Sequence, residues 1–195
     1  MVRRVRGILF VDYVRMIRGQ KNVDWSAYLN RDDDPFLSGR IDLDGWYPME
    51  SFERFGLGIL NEVAKHQLDG VVMWGRFSVM PVQAHFPTLV VVGDPMETLA
   101  RFRVLARSFF DYGAIEVVSV REEDALVAIR FEMSAAAEKT ACHQTLGFFL
   151  GLLEASGGTN GHGRFLEKSW EGSTHTLLDL RWSNPVEERP SRPGR

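Results

Sequence analysis

The sequence predicts an α+β fold, a helical N-terminal half packed on a four-stranded antiparallel sheet. Three observations carry that prediction. The first half has apolar residues in a 3–4 rhythm, the second half has two pairs of strand-like runs, and one long helical segment separates those pairs. Two hairpins divided by one helix give the order β-β-α-β-β, which places an antiparallel sheet beneath helices.

The elements follow in chain order. Gly7–Phe10 reads as a short strand or lead-in, and Val11, Val14, Met16 and Ile17 suit helical turns ending near Gly19. Asp24 can cap a helix over Trp25–Leu29, which "RDDDP" then breaks, since Pro35 forbids continuation and aspartates favour turns. In "GWYPMESFERFG" (45–56), Pro48 suits the first helical position, having a fixed φ and no donor to waste. Phe52, Phe55, Leu57, Ile59, Leu60 and Val63 continue that helix, and Asp69-Gly70 stops it. A second apolar helix spans Val71–Met80, and Pro81 and Pro87 interrupt the chain beyond it.

The second half has sharper punctuation. Asp94, Pro95 and Glu97 form a helix start and Gly113 its stop. "AIEVVSV" and "LVAIRFEM", joined by "REEDA", alternate as strands. Ser134 caps a long helix on which Ala141, Thr145, Phe148 and Leu152 share one face, and Gly157-Gly158 ends it. "GRFLEKSW" and "THTLLDLRW", linked by "EGS", give the last hairpin. Residues 1–183 therefore read as one domain, helical over residues 1–112 and ββαββ over residues 113–183. Residues 184–195, rich in proline and charge, read as a disordered tail.

Composition narrows the function. Apolar content of 45% and charged content of 25% over 195 residues suit a globular chain with a sizeable core. A net charge of −3 argues against nucleic acid as the main partner, because phosphate neutralisation needs clustered Lys and Arg. No stretch approaches 18 apolar residues, so no membrane insertion is expected. A single cysteine, Cys142, excludes an internal disulfide and fits the cytoplasm.

Candidate chemistry is sparse. Asp42, Asp44 and Glu53 mimic part of a calcium loop, but Tyr47 stands where glycine is needed. Asp32, Asp33 and Asp34 point in different directions and read as a solvated turn. "GGTNGHG" (157–163) follows a helix and leads into a strand, the wrong polarity for a phosphate cradle, and reads as a helix stop and flexible connector. Cys142 and His143 are helix neighbours about 100° apart and cannot pair as nucleophile and base. The histidines 66, 85, 143, 162 and 175 show no metal-ligand spacing. No catalytic residue, metal or cofactor is expected, and the chain reads as a non-enzyme. The aromatics are the remaining signal. Trp46, Tyr47, Trp74, Phe77, Phe86, Phe148, Phe149 and Trp170 either line a cavity or fill a core, with His85, His143 and Arg76 the nearest polar groups.

"GWYP", "WGR", "DPMETLARFRVLARSFFDYGAIEVVSV" and "GFFLGLLEASGG…SWEGSTHTLLDLRW" resemble a myxobacterial paralogous family over residues 6–182. That family is in turn similar to vinyl-reductase-type ligand-binding domains, haem–nitric-oxide-binding domains and Golgi transport-particle subunits. The resemblance implies a helical subdomain over an antiparallel sheet, and a small-molecule-sensing or protein-interaction module, often dimeric, with an apolar cavity between the two layers. The haem-binding branch uses a proximal histidine and a Tyr-x-Ser-x-Arg constellation. The latter is absent from this sequence, and so are the cysteines that bind metal in some vinyl-reductase-type domains. The expectation is therefore a cytoplasmic regulatory ligand-binding domain for an apolar or aromatic small molecule, a homodimer, with Trp46, Tyr47, Trp74, Phe77, His85 and Phe149 around the cavity. The alternative is an interaction or dimerisation module with a fully packed core.

Overall fold

Two backbones touch at the centre of this protein. The computed structural model describes residues 2–184. Its longest helix, α7 (Ala135–Ala155), lies against α4 (Leu68–Phe77). A Cβ added at Gly147 would sit 1.9 Å from the Val72 carbonyl oxygen, and one at Gly75 would sit 2.0 Å from that of Gln144. Only residues without a side chain allow helices to approach so closely. The Arg76–Glu154 ion pair closes the same contact at the surface.

The other elements surround this pair. A ribbon of β1 (Arg4–Arg6) and β2 (Trp46–Pro48), Val5 opposite Tyr47, ties the start of the chain to α3 (Met49–Glu62). Between the two strands run α1 (Gly7–Gly19), two 3₁₀ turns and α2 (Asp34–Ser38). After α4 come α5 (Val79–His85) and α6 (Pro95–Leu105). Strands β3 (Ile115–Val120), β4 (Asp124–Ile129), β5 (Thr159–Glu167) and β6 (Thr176–Ser183) form one antiparallel sheet in the order β3-β4-β6-β5. One continuous apolar cluster runs from Val5 and Phe10 through Phe102 and Phe149 to Leu180 and Trp182, so both halves share a core.

The predicted fold class and the β-β-α-β-β order match this architecture. Boundaries differ for local reasons. Gly7–Phe10 is helix, because the preceding Arg4–Arg6 supplies the extended segment. Pro48 ends β2 and caps α3 rather than opening it, and α3 stops at Glu62, before Lys65 and His66 turn left-handed (φ 47° and 63°). Asp69-Gly70 lies inside the first turn of α4, where an acidic residue suits the helix dipole. Pro81 sits in the first turn of α5, where no donor is needed, so Val71–Met80 divides into two helices near Ser78. Asp94 caps α6 as predicted, accepting from the Glu97 amide at 2.8 Å. That helix ends at Leu105, and a 3₁₀ turn aims Phe109 and Phe110 inward.

Strand β4 ends at Ile129 rather than Met133, because Glu132 adopts φ 57°. The buried Glu138 carboxylate holds that corner by accepting the Phe131 and Met133 amides (3.2 and 3.0 Å). Ser134 occupies the cap position of α7, but its hydroxyl donates to Glu53 instead (2.6 Å). The glycine-rich 159–163 is strand, not connector: β6 supplies its ladder, and Gly163 faces Leu146, Leu178 and Leu180. Asp33 is buried rather than solvated. Burial alone would raise its carboxyl, but hydrogen bonds from Arg54 (2.7 and 2.8 Å), Ser51 and the Asn30 amide outweigh that and hold it below the usual range. The predicted tail lies outside the described residues, Asn184 excepted.

Gly147→Ala is expected to destabilise the protein by about 3 kcal/mol, from overpacking against backbone, a fall in Tm of roughly 6–12 °C at this size. Gly70→Ala, with open space around its Cβ, is expected to stabilise by up to about 1 kcal/mol through helix propensity. Thermal unfolding followed by circular dichroism checks both.

Candidate functional site

A narrow void lies beside the α4–α7 contact, with about 70 Å³ reachable by the centre of a water-sized sphere. Helix α7 contributes Ala141, Thr145 and Phe148 to it, three of the four residues the sequence periodicity picks out, together with Gln144. Opposite stand Ile8, Leu9 and Asp12 of α1, Val82 of α5 with Ser78 just before it, and Phe102 of α6. Phe52, Phe109, Phe110, Ile115 and Phe131 complete the wall. Apolar side chains dominate. Phe102 packs against Phe148 and Phe149 at centroid distances of 5.5 and 4.9 Å, and Phe110 against Phe131 at 5.5 Å.

Four polar side chains interrupt this lining, and each has an identifiable state. Ser78 and Thr145 donate their hydroxyls to the Gly75 and Ala141 carbonyls (2.7 and 2.8 Å). Gln144 Oε1 accepts the buried Tyr13 hydroxyl at 2.5 Å. Asp12 Oδ1 accepts from Arg15 at 3.2 Å. Burial nevertheless pushes the Asp12 carboxyl above its ordinary range, and Arg15 only partly offsets this. Among the described residues no Lys, Arg or His lines the void.

The six residues expected around a cavity lie elsewhere, in separate places. Tyr47 stacks on Phe10 (4.7 Å, 9° between planes) and its hydroxyl accepts the Asp42 amide at 2.8 Å. Trp46 lies under the Arg6 and Arg4 guanidinium groups (5.1 and 5.8 Å). Both anchor the entry to α3. Trp74 rests on Tyr13 at 4.8 Å, and Phe149 is fully buried one position round the helix from the void-facing Phe148. Phe77 is 62% exposed: Gly75 faces α7, and two residues on, about 200° around the helix, Phe77 faces outward. His85 reaches Asp44 at 3.3 Å on the outer surface. Sequence reasoning missed Asp12, Gln144 and Phe102. A carboxylate four residues after Ile8 on an otherwise apolar face was the available signal for the first of them.

Other candidates are structural. Burial pushes the Cys142 thiol up to about 12, and its Sγ lies 3.5 Å from Thr176 Oγ1, so no thiolate forms near neutrality. His143 is bound through Nδ1 to the Lys139 carbonyl at 2.7 Å and packs on Phe165 and Trp170. Among the described residues no group of three His, Cys, Asp or Glu could hold a metal ion, and no helix is long and apolar enough to cross a membrane.

The architecture has counterparts among solved structures. An unliganded Fe(II) H-NOX protein from K. algicida superposes with a TM-score of 0.65 at 11% identity, covering 94% of this chain and 100% of that one. The fold is that of the H-NOX domains. An oxygen-binding H-NOX domain related to soluble guanylate cyclases gives 0.63 at 11% identity, over 96% of this chain and 100% of that one. An H-NOX protein from S. oneidensis in the Fe(II)NO ligation state gives 0.62 at 11% identity, over 92% and 99%. No protein-family model matches the sequence, and no curated protein matches it.

The H-NOX fold raises the question of haem, and the residues here do not fit it. The void is less than half the roughly 150 Å³ that admits benzene in an engineered apolar cavity, with five phenylalanines besides Phe148 in its wall. No histidine faces it to hold iron. Its one ionisable side chain is an acid, which would repel rather than hold propionates.

Because the folded Asp12 carboxyl is raised, its contribution to stability is present at pH below its unfolded value and lost as pH rises through the folded one. Asp12→Asn, neutral at every pH, is therefore expected to raise Tm at pH 7 and to lose that advantage below about pH 4. Thermal melts of both proteins across this range check the sign.

Proposed function

We propose that this chain is a non-enzymatic ligand-responsive domain whose apolar void, between the helical wall and α7, admits a small molecule without haem. The carrying observation is the void itself: it lies where α1, α5 and α6 of the first half meet α7 and β3 of the second, so an occupant would touch both. Occupancy would then change how the halves pack, which is what a sensor requires. The neighbours whose names record oxygen and Fe(II)NO ligation share the fold and lend the sensing idea support. Cytoplasmic location, a regulatory role and kinship with the myxobacterial paralogous family belong to the same proposal.

A second reading has its own observation. Met73, Phe77 and Met80 are 50%, 62% and 71% exposed at i, i+4 and i+7 along α4 and α5. Such a stripe suits a packed-core interaction module or a homodimer. Light scattering after gel filtration separates this reading from the first: a dimer lost in Phe77→Ser supports it, and a monomer removes it.

The main reading is tested with xenon, a probe for dry apolar cavities. Xenon is expected to shift amide resonances at Val82, Phe102, Ile115 and Phe148, and Ala141→Leu, which fills the void, is expected to abolish the shifts. Absence of any shift in the wild-type chain contradicts the proposal. Titration with haemin is expected to give only the absorption of unbound haemin. A sharp Soret band that saturates at one equivalent overturns the haem-free element of the proposal.

A further inference from the structure

We infer that the void takes a small molecule with an apolar body and a protonated amine, its ammonium group paired with the Asp12 carboxylate. The inference rests on the reading of the void as a ligand site and names what that site selects.

The charge pattern comes first. Among the described residues Asp12 is the only ionisable side chain in the lining, with no cation on that wall to balance it. Its one partner among the described residues, Arg15, reaches it from the same helix at 3.2 Å with a side chain 66% exposed. Such a solvent-screened pair contributes little, so Arg15 can give way to a cation approaching from within. A negatively charged ligand would instead meet the carboxylate in apolar surroundings, with nothing to offset the repulsion.

Hydrogen-bond polarity points the same way. The Ser78 and Thr145 hydroxyls donate their protons to helix carbonyls, which leaves them as acceptors. Asp12 is itself an acceptor. Gln144 has its carbonyl oxygen occupied by Tyr13, so its amide nitrogen is the one donor left on this wall. An ammonium group carries three donors and no acceptor, which complements three acceptors better than a carboxylate or ether would. The remaining wall, Val82, Phe102, Ile115 and Phe148, suits an aliphatic or small aromatic body. A void of about 70 Å³ limits that body to a few carbons unless side chains move.

The test uses amide chemical-shift titrations of the folded full-length chain with n-butylamine, n-butanol and butyrate at pH 7, and xenon as the neutral reference. n-Butylamine is expected to bind at least about tenfold more tightly than n-butanol, since a hydrogen bond to a charged group contributes about 1.5–3 kcal/mol. Its shifts should centre on Asp12, Ser78 and Gln144, with none from butyrate. Asp12→Asn is expected to bring the amine down to the level of the alcohol while xenon shifts persist, which shows the variant to be folded with its void intact. Equal binding of amine and alcohol, or amine binding unchanged in Asp12→Asn, overturns the inference. If xenon binds and the amine does not, only this inference fails; if neither binds, the ligand reading fails with it.

Discussion

The contact on which most else depends is the meeting of α4 and α7 backbones at Gly75 and Gly147. With Val72 and Gln144 carbonyls standing where side chains would otherwise be, the two helices have a single separation and a narrow choice of rotation. That fixes Ser78, just past the end of α4, opposite the Thr145–Phe148 turn, and α5 follows from there. The far side of α7 meets the sheet, where Cys142 touches Thr176. Helix α7 is thus held between a backbone contact on one side and a sheet on the other, and the void is the space that α1, α5 and α6 leave beside it.

The filling at the centre of this fold does not fit haem. Phenylalanines at 102, 109, 110, 131 and 148 occupy the junction of the two halves, and the one ionisable group they leave exposed to the void is a carboxylate. A half-buried acid is costly to a folded chain, because burial disfavours its charged form. Keeping Asp12 on an apolar wall where leucine would pack without that penalty is the pattern expected where stability yields to binding. Glu138 and Asp33 form the contrast. Both acids are buried, but their oxygens are taken up by backbone amides, by Ser169 or by Arg54, so each closes a corner of the chain and none is left for a ligand.

The sequence made the layout readable wherever a residue's local chemistry decides the backbone. Asp94-Pro95 could do little except start a helix, and the alternation of Val127, Ile129 and their neighbours could do little except form a strand. The α7 face carrying Ala141, Thr145 and Phe148 was legible for the same reason. Boundaries failed where tertiary partners overrode local preference: 159–163 is strand because β6 pairs with it, and α4 runs through Gly70 because α7 lies alongside. The site was hidden for a related reason. Trp46 and Trp74 draw attention by size, yet size argues as well for anchoring as for lining, and here both rest on neighbouring side chains. Asp12 is an ordinary residue on an otherwise apolar helix face; its meaning arises only when α7 brings Gln144 and Thr145 to the same wall.

Whether α4 and α7 act as one body framing the void is read most directly by native-state hydrogen exchange at single-residue resolution. Amides of 71–77 and 144–152 are expected to open together, with one free energy and one dependence on denaturant, as a cooperative unit does. Independent opening of α4 at a markedly lower free energy, with α7 still protected, would show that the two helices are not one body.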